Sequence, residues 1–530
     1  MATGATQLKR PAPVAGGDED PLAKECLRRV ERAKVDRGRH QSRIADCYRF
    51  ALPWRHKFGA AQVSDQLDEI FDETAMNVVE DFAADMLNTF TPQRNDWVSI
   101  QPAVTLDVAD TRRIAAELKD YQAILFGEMA RSNLYQALQE SYLDLATGTM
   151  SLTVQDIDFA EPIHCQAIPL TELLIDRGPY GFVDGRWREW RVRKEEIPVL
   201  WPRARAPGGQ EFRPGDMTEC DVIDGCWRDW SDRSREAYRY VVIEGGRVIF
   251  RDDYEGAGSC PFITARWSRD PTTAYGVGPL YRSTPAVKTL NHVRFLSLKN
   301  YDKIVDPPAS YEDDGVLNVE GGIVPGRWYP REVGSKAPEV IESRHQLNVE
   351  IFQLDELRSQ IRRAHYQDRP EQLGKTPPTA TQWADEAAER ARRMGTPATN
   401  LVQELQYPLV RRFAYLLRKR GALPKVELNG AAVALTPVSP LLRAQEQEKV
   451  VRRDKWAELI IARFGPQLGA IVINLIEYAK AQGRDLGVEP ELMRDEGQIT
   501  RAIEQLLPVL QTVTAGRPGE IAPPPVGLVG

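Results

Sequence analysis

Two long helical stretches on either side of a segment rich in proline and glycine constrain the fold more than any other feature of the chain. The first begins at Thr284-Pro285, a capping residue followed by proline at the first helical position, and is predicted to end before Asp306-Pro307-Pro308. The second covers about 346–365, where leucine and isoleucine recur at helical spacing. Each would be about 30 Å long. The pair therefore predicts a helical hairpin that holds the intervening segment away from the body of the protein.

Composition excludes several classes of protein. The 530 residues, 42% of them hydrophobic, can build large buried cores and predict roughly two to four domains. A net charge of -7 excludes a molecule-wide basic field of the kind that drives tight, nonspecific phosphate binding. The six cysteines form no CxxC pairs, which favours free thiols in a reducing compartment over a disulfide framework. No apolar signal core or membrane-length apolar run is present, so synthesis in the cytosol and no membrane association are expected.

The N-terminal region is predicted to be helical and locally basic. Residues 1–60 contain 13 Lys and Arg against 7 Asp and Glu, an excess of 13 - 7 = 6 positive charges. A solvated helix face is the favoured interpretation, and a phosphate contact is the alternative. One helix is expected from Asp20-Pro21 to about Phe50. Further helices are predicted after Asp72 and over about 110–131 and 134–146.

Between Ser151 and Trp267 the hydrophobic period drops toward two, which predicts a region of β-sheet. Glu244-Gly245-Gly246-Arg247, between two apolar runs, predicts a tight hairpin. The tryptophans of this region could form a stacking platform for nucleic-acid bases, but mixed core and edge packing is the favoured interpretation. They are Trp187, Trp190, Trp201, Trp227 and Trp230.

After the hairpin the sequence is again helical. Thr379-x-x-Gln382 is a capping-box pattern, and Gly395-x-Pro397 is expected to break or kink the helix that it opens. A helix over about 400–420 and a helical block over about 439–512 follow, ahead of a proline-rich flexible tail. The whole pattern predicts an α+β protein that is mainly helical.

No motif of catalysis is complete. Gly374-Lys375-Thr376 matches the end of a Walker A loop, but Arg369 stands where its first glycine belongs and Pro377-Pro378 follow. Gly276-x-Gly278 is an incomplete dinucleotide fingerprint and is better interpreted as turn glycines. The acidic run at 312–314 is more typical of a charged turn than of a cation site. The chain is therefore predicted to be no enzyme and to bind no cofactor or metal.

The sequence resembles the head-to-tail connector, or portal, proteins of short-tailed, podovirus-type bacteriophages. The matching pieces keep the family's order over roughly residues 70–425, and their ordered set is more specific than any one of them. They depart from the family at Gln382-Trp383, where an acidic residue followed by an aliphatic one is expected. The pieces are Asp72-Glu73-Thr74-Ala75, Asp96-Trp97, Ala274-Tyr275-Gly276-Val277-Gly278-Pro279, Thr289-Leu290-Asn291, Asp306-Pro307-Pro308, Pro325-Gly326, Thr379-Ala380-Thr381-Gln382, Glu404-Leu405, Pro408-Leu409-Val410-Arg411-Arg412 and Gly421-Ala422-Leu423-Pro424.

The resemblance implies a portal fold and divides the chain into named parts. These are an N-terminal wing of helices and antiparallel sheet (1–280), stem helix one (281–305), a clip (306–345), stem helix two (346–366), a channel loop (367–378), a kinked wing helix with a following strand (379–438), a helical crown (439–515) and a flexible tail (516–530).

The resemblance also implies a function. Twelve identical subunits would form a ring at one capsid vertex, through which double-stranded DNA passes during packaging and ejection. The ring would dock the packaging terminase and later the tail adaptor, and it would contact capsid and scaffolding proteins. The protein would be assembled in the host cytoplasm and reside in the virion.

Two groups of site residues follow from this assignment. The channel loop would contact DNA through Arg369, Gln372, Lys375 and Thr376, and the clip would contact its partners through Asp313, Asp314, Trp328, Tyr329 and Arg331. Two alternatives stay open. One is another ring-forming head-tail adaptor without the long stem. The other is a packaging ATPase or nuclease, which needs a nucleotide or metal site that the sequence does not show.

Overall fold

The computed structural model describes residues 20–55, 67–102, 108–157, 163–206, 209–233, 235–305, 309–310, 339–340, 347–367, 393–423, 433–437, 453–463, 478 and 482. The chain divides into two compact units. One comprises Met1–Ala380 with Arg393–Ser439, and the other comprises Thr381–Arg392 with Pro440–Gly530. In the described part, helices combine with antiparallel sheets, which confirms an α+β protein.

The first unit begins with helix α1 (Pro21–Gly38). Asp20 caps it as predicted, because its carboxylate accepts the Leu22 N–H at 2.9 Å. The single helix expected to run to Phe50 was wrong. It ends at Gly38, and a second helix, α2 (Gln41–Ala51), follows after a two-residue break. Glycine is a poor helix former, so it marks the point where the helix ends.

Two antiparallel sheets follow a group of helices. The hairpin predicted at Gly245-Gly246 is confirmed, since Glu244 pairs with Arg247 and both glycines have positive φ. The helices are α3 (Thr74–Thr89), α4 (Val108–Arg131) and α5 (Leu134–Thr147), and the short α6 (Ile197–Leu200) comes later, among the strands. One sheet has the order β3-β2-β9, from Ile163–Ile168, Thr149–Asp156 and Phe262–Arg266. The other has the order β4-β5-β6-β7-β8, from Leu173–Arg177, Val183–Arg193, Glu219–Arg228, Ala237–Glu244 and Arg247–Glu255.

The core beneath α1 explains both the basic residues and the tryptophans of the sequence. Ala23, Cys26 and Val30 of α1 pack on Trp187 and Trp227, which are fully buried, so these tryptophans are core residues rather than a stacking platform. Basic residues around this contact are paired with sheet carboxylates: Arg29 with Asp184, Arg32 with Asp176 and Lys34 with Glu189. Much of the local positive charge therefore fastens α1 to the sheet.

The glycines of the predicted Gly276-x-Gly278 turn allow two backbones to touch. A Cβ on Gly276 would lie 2.3 Å from the Gly148 carbonyl oxygen, and one on Gly278 would lie 2.2 Å from that of Ala146. The turn leads into helix α7 (Pro279–Val305), which begins five residues earlier than the predicted start at Thr284. Thr284 does not cap the helix, because its hydroxyl donates to the Leu280 carbonyl at 2.7 Å inside it.

Helix α7 packs against helix α8 (Leu347–Ala364), as the predicted hairpin requires. Between them lie two short strands, β10 (Ala309–Ser310) and β11 (Glu339–Val340), which pair in antiparallel fashion. Strand β10 follows the C-terminal end of α7, and β11 precedes the N-terminal end of α8. Because these strands pair with each other, the two packed helices run in opposite directions.

The last elements of the first unit are nearly continuous. Helix α9 (Gly395–Leu401) passes through a π-helical turn (Val402–Gln406) into helix α10 (Tyr407–Arg420). Pro408 has no N–H to offer the Glu404 carbonyl, and the wider turn before it accommodates this loss. Helix α9 begins at Gly395 after a turn at Met394, where the break at Gly395-x-Pro397 was expected, and the π-turn before Pro408 is a second irregularity that was not predicted. Strand β12 (Val433–Pro437) pairs with β1 (Val98–Pro102).

In the second unit, the structure describes a helix over 453–463 and residues 478 and 482. Asp454 accepts a hydrogen bond from the Tyr478 hydroxyl and one from the Gln482 amide at 3.1 Å. The capping box at 379–382 and most of the predicted crown lie outside the described residues.

Candidate functional site

The base of the α7–α8 hairpin is clamped to the segment that precedes α3. The Asn291 amide of α7 donates to the Glu69 carbonyl at 2.9 Å, and its oxygen accepts the Phe71 N–H at 2.7 Å. The Phe71 ring also lies 4.9 Å from the ring of Phe295 on α7. The Asn291 side chain therefore hydrogen-bonds to two backbone groups. These bonds fix the position of α7 along the segment that precedes α3.

Asp72 joins the same segment to the second helix of the hairpin. Arg358 of α8 donates to Asp72 Oδ2 from Nη2 at 2.7 Å and from Nε at 3.1 Å. Asp72 Oδ1 accepts the N–H of Thr74, the first residue of α3, at 3.0 Å. Burial alone would raise the Asp72 pKa, but the hydrogen bonds from Thr74 and Arg358 outweigh it and hold the pKa below its usual value. Asp72 is thus a charged link between α3 and α8.

A polar cleft of about 660 Å³ opens beside this link. Arg294 of α7 and Arg362 of α8 face it together with Asp72, Glu73 and Asp355. Its wall therefore carries both acidic and basic side chains. This arrangement suits ion pairing between the hairpin and the body and supplies no nucleophile with an adjacent base.

An aromatic cluster holds the other end of α8. His365 is buried, and its Nδ1 lies 2.9 Å from the Ile361 carbonyl oxygen. Burial lowers its pKa to about 4, so the ring is neutral at pH 7. Tyr366 has a left-handed backbone (φ 63°), and its ring lies 5.6 Å from that of Trp267. Phe82 of α3 packs edge-on against both Trp267 and His365. These contacts therefore hold His365 and Tyr366, the residues directly before the predicted channel loop, in place.

The predicted site residues themselves lie outside the described part of the chain. This applies to the channel-loop group, Arg369, Gln372, Lys375 and Thr376, and to the clip group, Asp313, Asp314, Trp328, Tyr329 and Arg331. Their roles stay predictions. The structure instead describes the supports of these segments: β10 and β11 within the clip, and the His365–Tyr366 end of α8 directly before the loop.

Sequence reasoning missed the residues that make these supports. Asp72, Asn291 and Glu404 are among the pieces that carry the resemblance, but no role was assigned to them from the sequence. Arg358 and His365 carried no signal beyond their places on a helix. The partners Asp72 and Arg358 are 286 positions apart, so no local pattern could have paired them.

Metal-binding groups and membrane-spanning helices can be considered in the part of the chain that the structure describes. Within it, no group of three or more His, Cys, Asp and Glu side chains is arranged to hold a metal ion. None of the described helices has both the length and the apolar character needed to cross a membrane.

Comparison with known proteins gives one strong match. The family described as "Bacteriophage head to tail connecting protein" matches residues 23–493. No curated protein sequence matches the chain.

Among the solved structures with similar chains are the following three. "Virion of native gene transfer agent (GTA) particle" is 13% identical over 76% of this chain and 91% of that one, with a TM-score of 0.38. "Neck of empty GTA particle computed with C6 symmetry" is 16% identical over 77% and 89%, with a TM-score of 0.36. "Neck of native GTA particle computed with C12 symmetry" is 15% identical over 79% and 94%, with a TM-score of 0.35. These structural similarities are too low to transfer geometry.

Proposed function

The chain belongs to the bacteriophage head-to-tail connecting protein family, and from this premise we propose that it is a portal protein. The family is structural and non-enzymatic, and its members are components of the phage virion. In this proposal twelve copies form a ring at one capsid vertex. The ring is the conduit for double-stranded DNA during packaging and ejection. It docks the terminase first and the tail adaptor afterwards, and it meets capsid and scaffolding proteins during assembly.

The parts of the chain take roles that follow the described elements. Residues 1–280 and 379–438 form the wing, and 439–515 form the crown. The stem comprises 281–305 and 346–366, which include α7 and α8. The clip is 306–345 and the channel loop is 367–378. Asn291, Asp72 and the aromatic cluster around His365 fix the stem to the wing, so force applied to the clip or loop is transmitted to the body.

The observation that carries the ring is the exposure of apolar side chains on α7. In the single chain, Leu296 is 50% exposed, and Leu298 and Tyr301 are each 39% exposed. At 100° per residue, Leu298 and Tyr301 share one side of the helix, whereas Leu296 points to another. A stem helix in a ring meets a neighbouring copy on each of two sides. Exposed apolar residues on two sides of this helix support that arrangement.

Charge supports a sliding conduit over a tight DNA-binding protein. Twelve copies carry a formal charge of 12 × -7 = -84. Each phosphate that a basic residue neutralises adds affinity and therefore friction. Arg369 and Lys375 of the channel loop would supply local positive charge where DNA passes, without a basic surface over the whole ring.

The proposal is tested by imaging the purified full-length protein. Electron microscopy with rotational averaging should show rings with a central hole, and light scattering should give a mass of 12 × 59.8 = 717.6 kDa. A monomer, or rings without a hole, would contradict the proposal. An ATPase assay on the same sample should give no turnover; turnover would favour a packaging motor instead.

A matched pair of variants tests whether ring formation depends on the exposed apolar residues of α7 or on exposed apolar residues in general. Leu298→Ser with Tyr301→Ser should prevent ring formation while the circular dichroism spectrum stays that of the wild type. Val199→Ser removes a side chain that is 66% exposed on α6 and should leave rings intact. Rings that persist in the double variant would show that this side of α7 is not the contact between copies.

A further inference from the structure

Two cysteines face each other near the end of β6, the central strand of the five-stranded sheet. Cys226 lies on β6, and Cys260 lies in the turn that precedes β9. Their sulfur atoms are 3.2 Å apart, and both are free thiols. Cys226 is buried, whereas Cys260 is partly exposed. The pair therefore joins a buried cysteine to a partly exposed one within contact distance.

Positive charge surrounds the Cys260 sulfur. Arg186 Nη1 of β5 lies 4.0 Å from Cys260 Sγ. Arg412 of α10 is buried and donates to the Ser259 carbonyl at 2.7 Å and to the Val154 carbonyl at 2.9 Å. Backbone carbonyls do not neutralise a guanidinium, so its charge remains to favour a nearby thiolate.

The two thiols differ in acidity. Burial would raise the pKa of Cys260, but the hydrogen bond from the Cys226 thiol and the charge of Arg186 outweigh it and lower that pKa. Burial raises the pKa of Cys226 well above its usual value. Tyr238 of β7 also faces the pair, and its pKa is raised by burial. Cys260 is therefore the sulfur that reacts as a thiolate, and Cys226 is its protonated neighbour.

There is room for a small oxidant beside Cys260. A cavity of about 340 Å³ is lined by Cys260, Arg186 and Tyr238 on the sheet side and by Gln403 and Pro408 on the helix side. A water molecule occupies about 30 Å³, so the space beside Cys260 is large enough to hold hydrogen peroxide.

We propose that Cys226 and Cys260 form a redox site that hydrogen peroxide converts into a disulfide bond. The Cys260 thiolate attacks one peroxide oxygen, the O–O bond breaks, and sulfenic acid and hydroxide form. The Cys226 thiol then attacks the Cys260 sulfur, and the S–O bond breaks as the S–S bond forms. The Cys226 proton leaves with the departing oxygen as water. Each disulfide thus consumes one peroxide, which is reduced by two electrons.

The bond would fix a turn on which α10 depends. The sulfurs must approach from 3.2 Å to about 2.05 Å. Cys260 directly follows Ser259, whose carbonyl accepts from Arg412, so the disulfide would hold the sheet, the turn and α10 together. Its timing rests on the proposed function: the chain is made in a reducing cytosol, and the released particle meets oxidants. The bond would then strengthen the portal after assembly.

The test uses the full chain, purified under reducing conditions, freed of reductant and treated with hydrogen peroxide. After free thiols are blocked with N-ethylmaleimide, non-reducing digestion and mass spectrometry should find a peptide that links Cys226 to Cys260. Cys226→Ser should stop at a Cys260 sulfenic acid that dimedone traps. Cys260→Ser should give neither product. Arg186→Gln should slow the reaction several-fold, because Arg186 positions the thiolate.

Cys220 provides the matched control. It also lies on β6 and is partly exposed, but burial raises its pKa to about 11. Cys220→Ser should react at the wild-type rate. If no Cys226–Cys260 peptide forms, or if Cys220 is oxidised before Cys260, the proposal is wrong. Ring formation is measured on the reduced protein, so a chain that fails to form rings can still pass this test.

Discussion

Arg266 and Glu404 form a buried ion pair that ties β9 to the π-helical turn between α9 and α10. Arg266 Nη2 lies 2.5 Å from Glu404 Oε1, and Arg266 Nε lies 3.1 Å from Oε2. The Arg266 main-chain N–H donates to the same Oε2 at 3.0 Å. The side chain of Arg266 is 2% exposed and that of Glu404 is 13% exposed. One carboxylate therefore satisfies a strand end and a buried guanidinium at the point where the helix widens.

Removing the carboxylate should destabilise the first unit strongly. Glu404→Ala leaves the Arg266 guanidinium buried without its partner, which costs about 3–5 kcal/mol. Urea unfolding followed by tryptophan fluorescence should show the loss. Arg191→Ala is the matched control, because its ion pair with Asp221 has side chains 74% and 78% exposed and should contribute little. The double variant Arg266→Met, Glu404→Leu should recover most of the loss. A wild-type midpoint in Glu404→Ala would show that the pair is not needed.

The glycines between β9 and α7 give a second prediction. Gly278→Ala places a Cβ 2.2 Å from the Ala146 carbonyl oxygen, so two backbones must separate. We expect a clear loss of thermal stability, because backbone cannot move aside as a flexible side chain can. Gly127→Ala, near the C-terminal end of α4, meets nothing within 4 Å and should stabilise by up to about 1 kcal/mol. Differential scanning fluorimetry of both variants tests the contrast. Equal midpoints would contradict it.

The sequence predicted the structural features that depend on residues close together in the chain. The Asp20 cap, the Gly245-Gly246 hairpin and the helical stretches that became α7 and α8 each depend on residues a few positions apart. The start of α7 was missed because Thr284-Pro285 has the form of a helix start. A proline inside a helix has no N–H for the carbonyl four residues back, which for Pro285 is that of Tyr281. The helix nevertheless continues through Pro285, and the Ser283 and Thr284 hydroxyls donate to the Leu280 carbonyl within the same turn.

Contacts between distant residues could not be predicted in this way. Arg266 and Glu404 are 138 positions apart, and many other arginines and glutamates have the same local appearance. The family resemblance drew attention to Glu404 and Asp72 without giving their partners. Only the folded structure, in which Arg358 of α8 reaches Asp72 and Arg266 of β9 reaches Glu404, shows that these residues join elements.

Asp224 gives a prediction about pH. It is buried beneath the five-stranded sheet, where Trp190 Nε1 donates to it at 2.8 Å. Burial raises its pKa to about 6, although the charge of Arg188 and hydrogen bonds from Trp190 and Tyr240 oppose the shift. The native state therefore keeps a proton that the unfolded chain loses near pH 4. The stability that this proton contributes is lost as pH rises through about 6.

Asp224→Asn cannot ionise and should lack this loss. Between pH 4 and pH 7 the variant should gain up to about 3 kcal/mol over the wild type, because two pKa units correspond to that free energy. Urea midpoints of the variant and the wild type at each pH measure the difference in the free energy of unfolding. The other carboxylates are the same in both proteins, so their effects cancel. Asp221→Asn, whose side chain is 78% exposed, should stay parallel to the wild type. A parallel curve for Asp224→Asn would show that the buried group is ionised throughout.

The channel loop gives a prediction about DNA. Arg369→Ala with Lys375→Ala should leave ring assembly unchanged but alter DNA retention or packaging, because local positive charge is removed where DNA passes. A packaging assay with quantification of retained DNA measures the effect. Arg213→Ala with Arg233→Ala removes equal charge from the wing and should package normally. Normal packaging in the loop variant would remove these residues from the DNA path.

The pairing of β10 with β11 allows a sharp test of the clip. Ser310 pairs with Glu339, so residues 311–338 can be replaced by a two-residue Asn-Gly turn that closes the hairpin where the strands already meet. The shortened chain should keep the α7–α8 hairpin and form rings, because Asn291 and Asp72 fix the stem at its other end. It should lose binding to the adaptor and terminase, since Trp328, Tyr329 and Arg331 are removed and such side chains dominate interfaces. Trp328→Ala with Arg331→Ala in the full chain should weaken the same binding while its length stays unchanged. Pull-down of each partner by purified rings measures both, and rings that lack 311–338 yet still bind the adaptor would place the docking surface elsewhere.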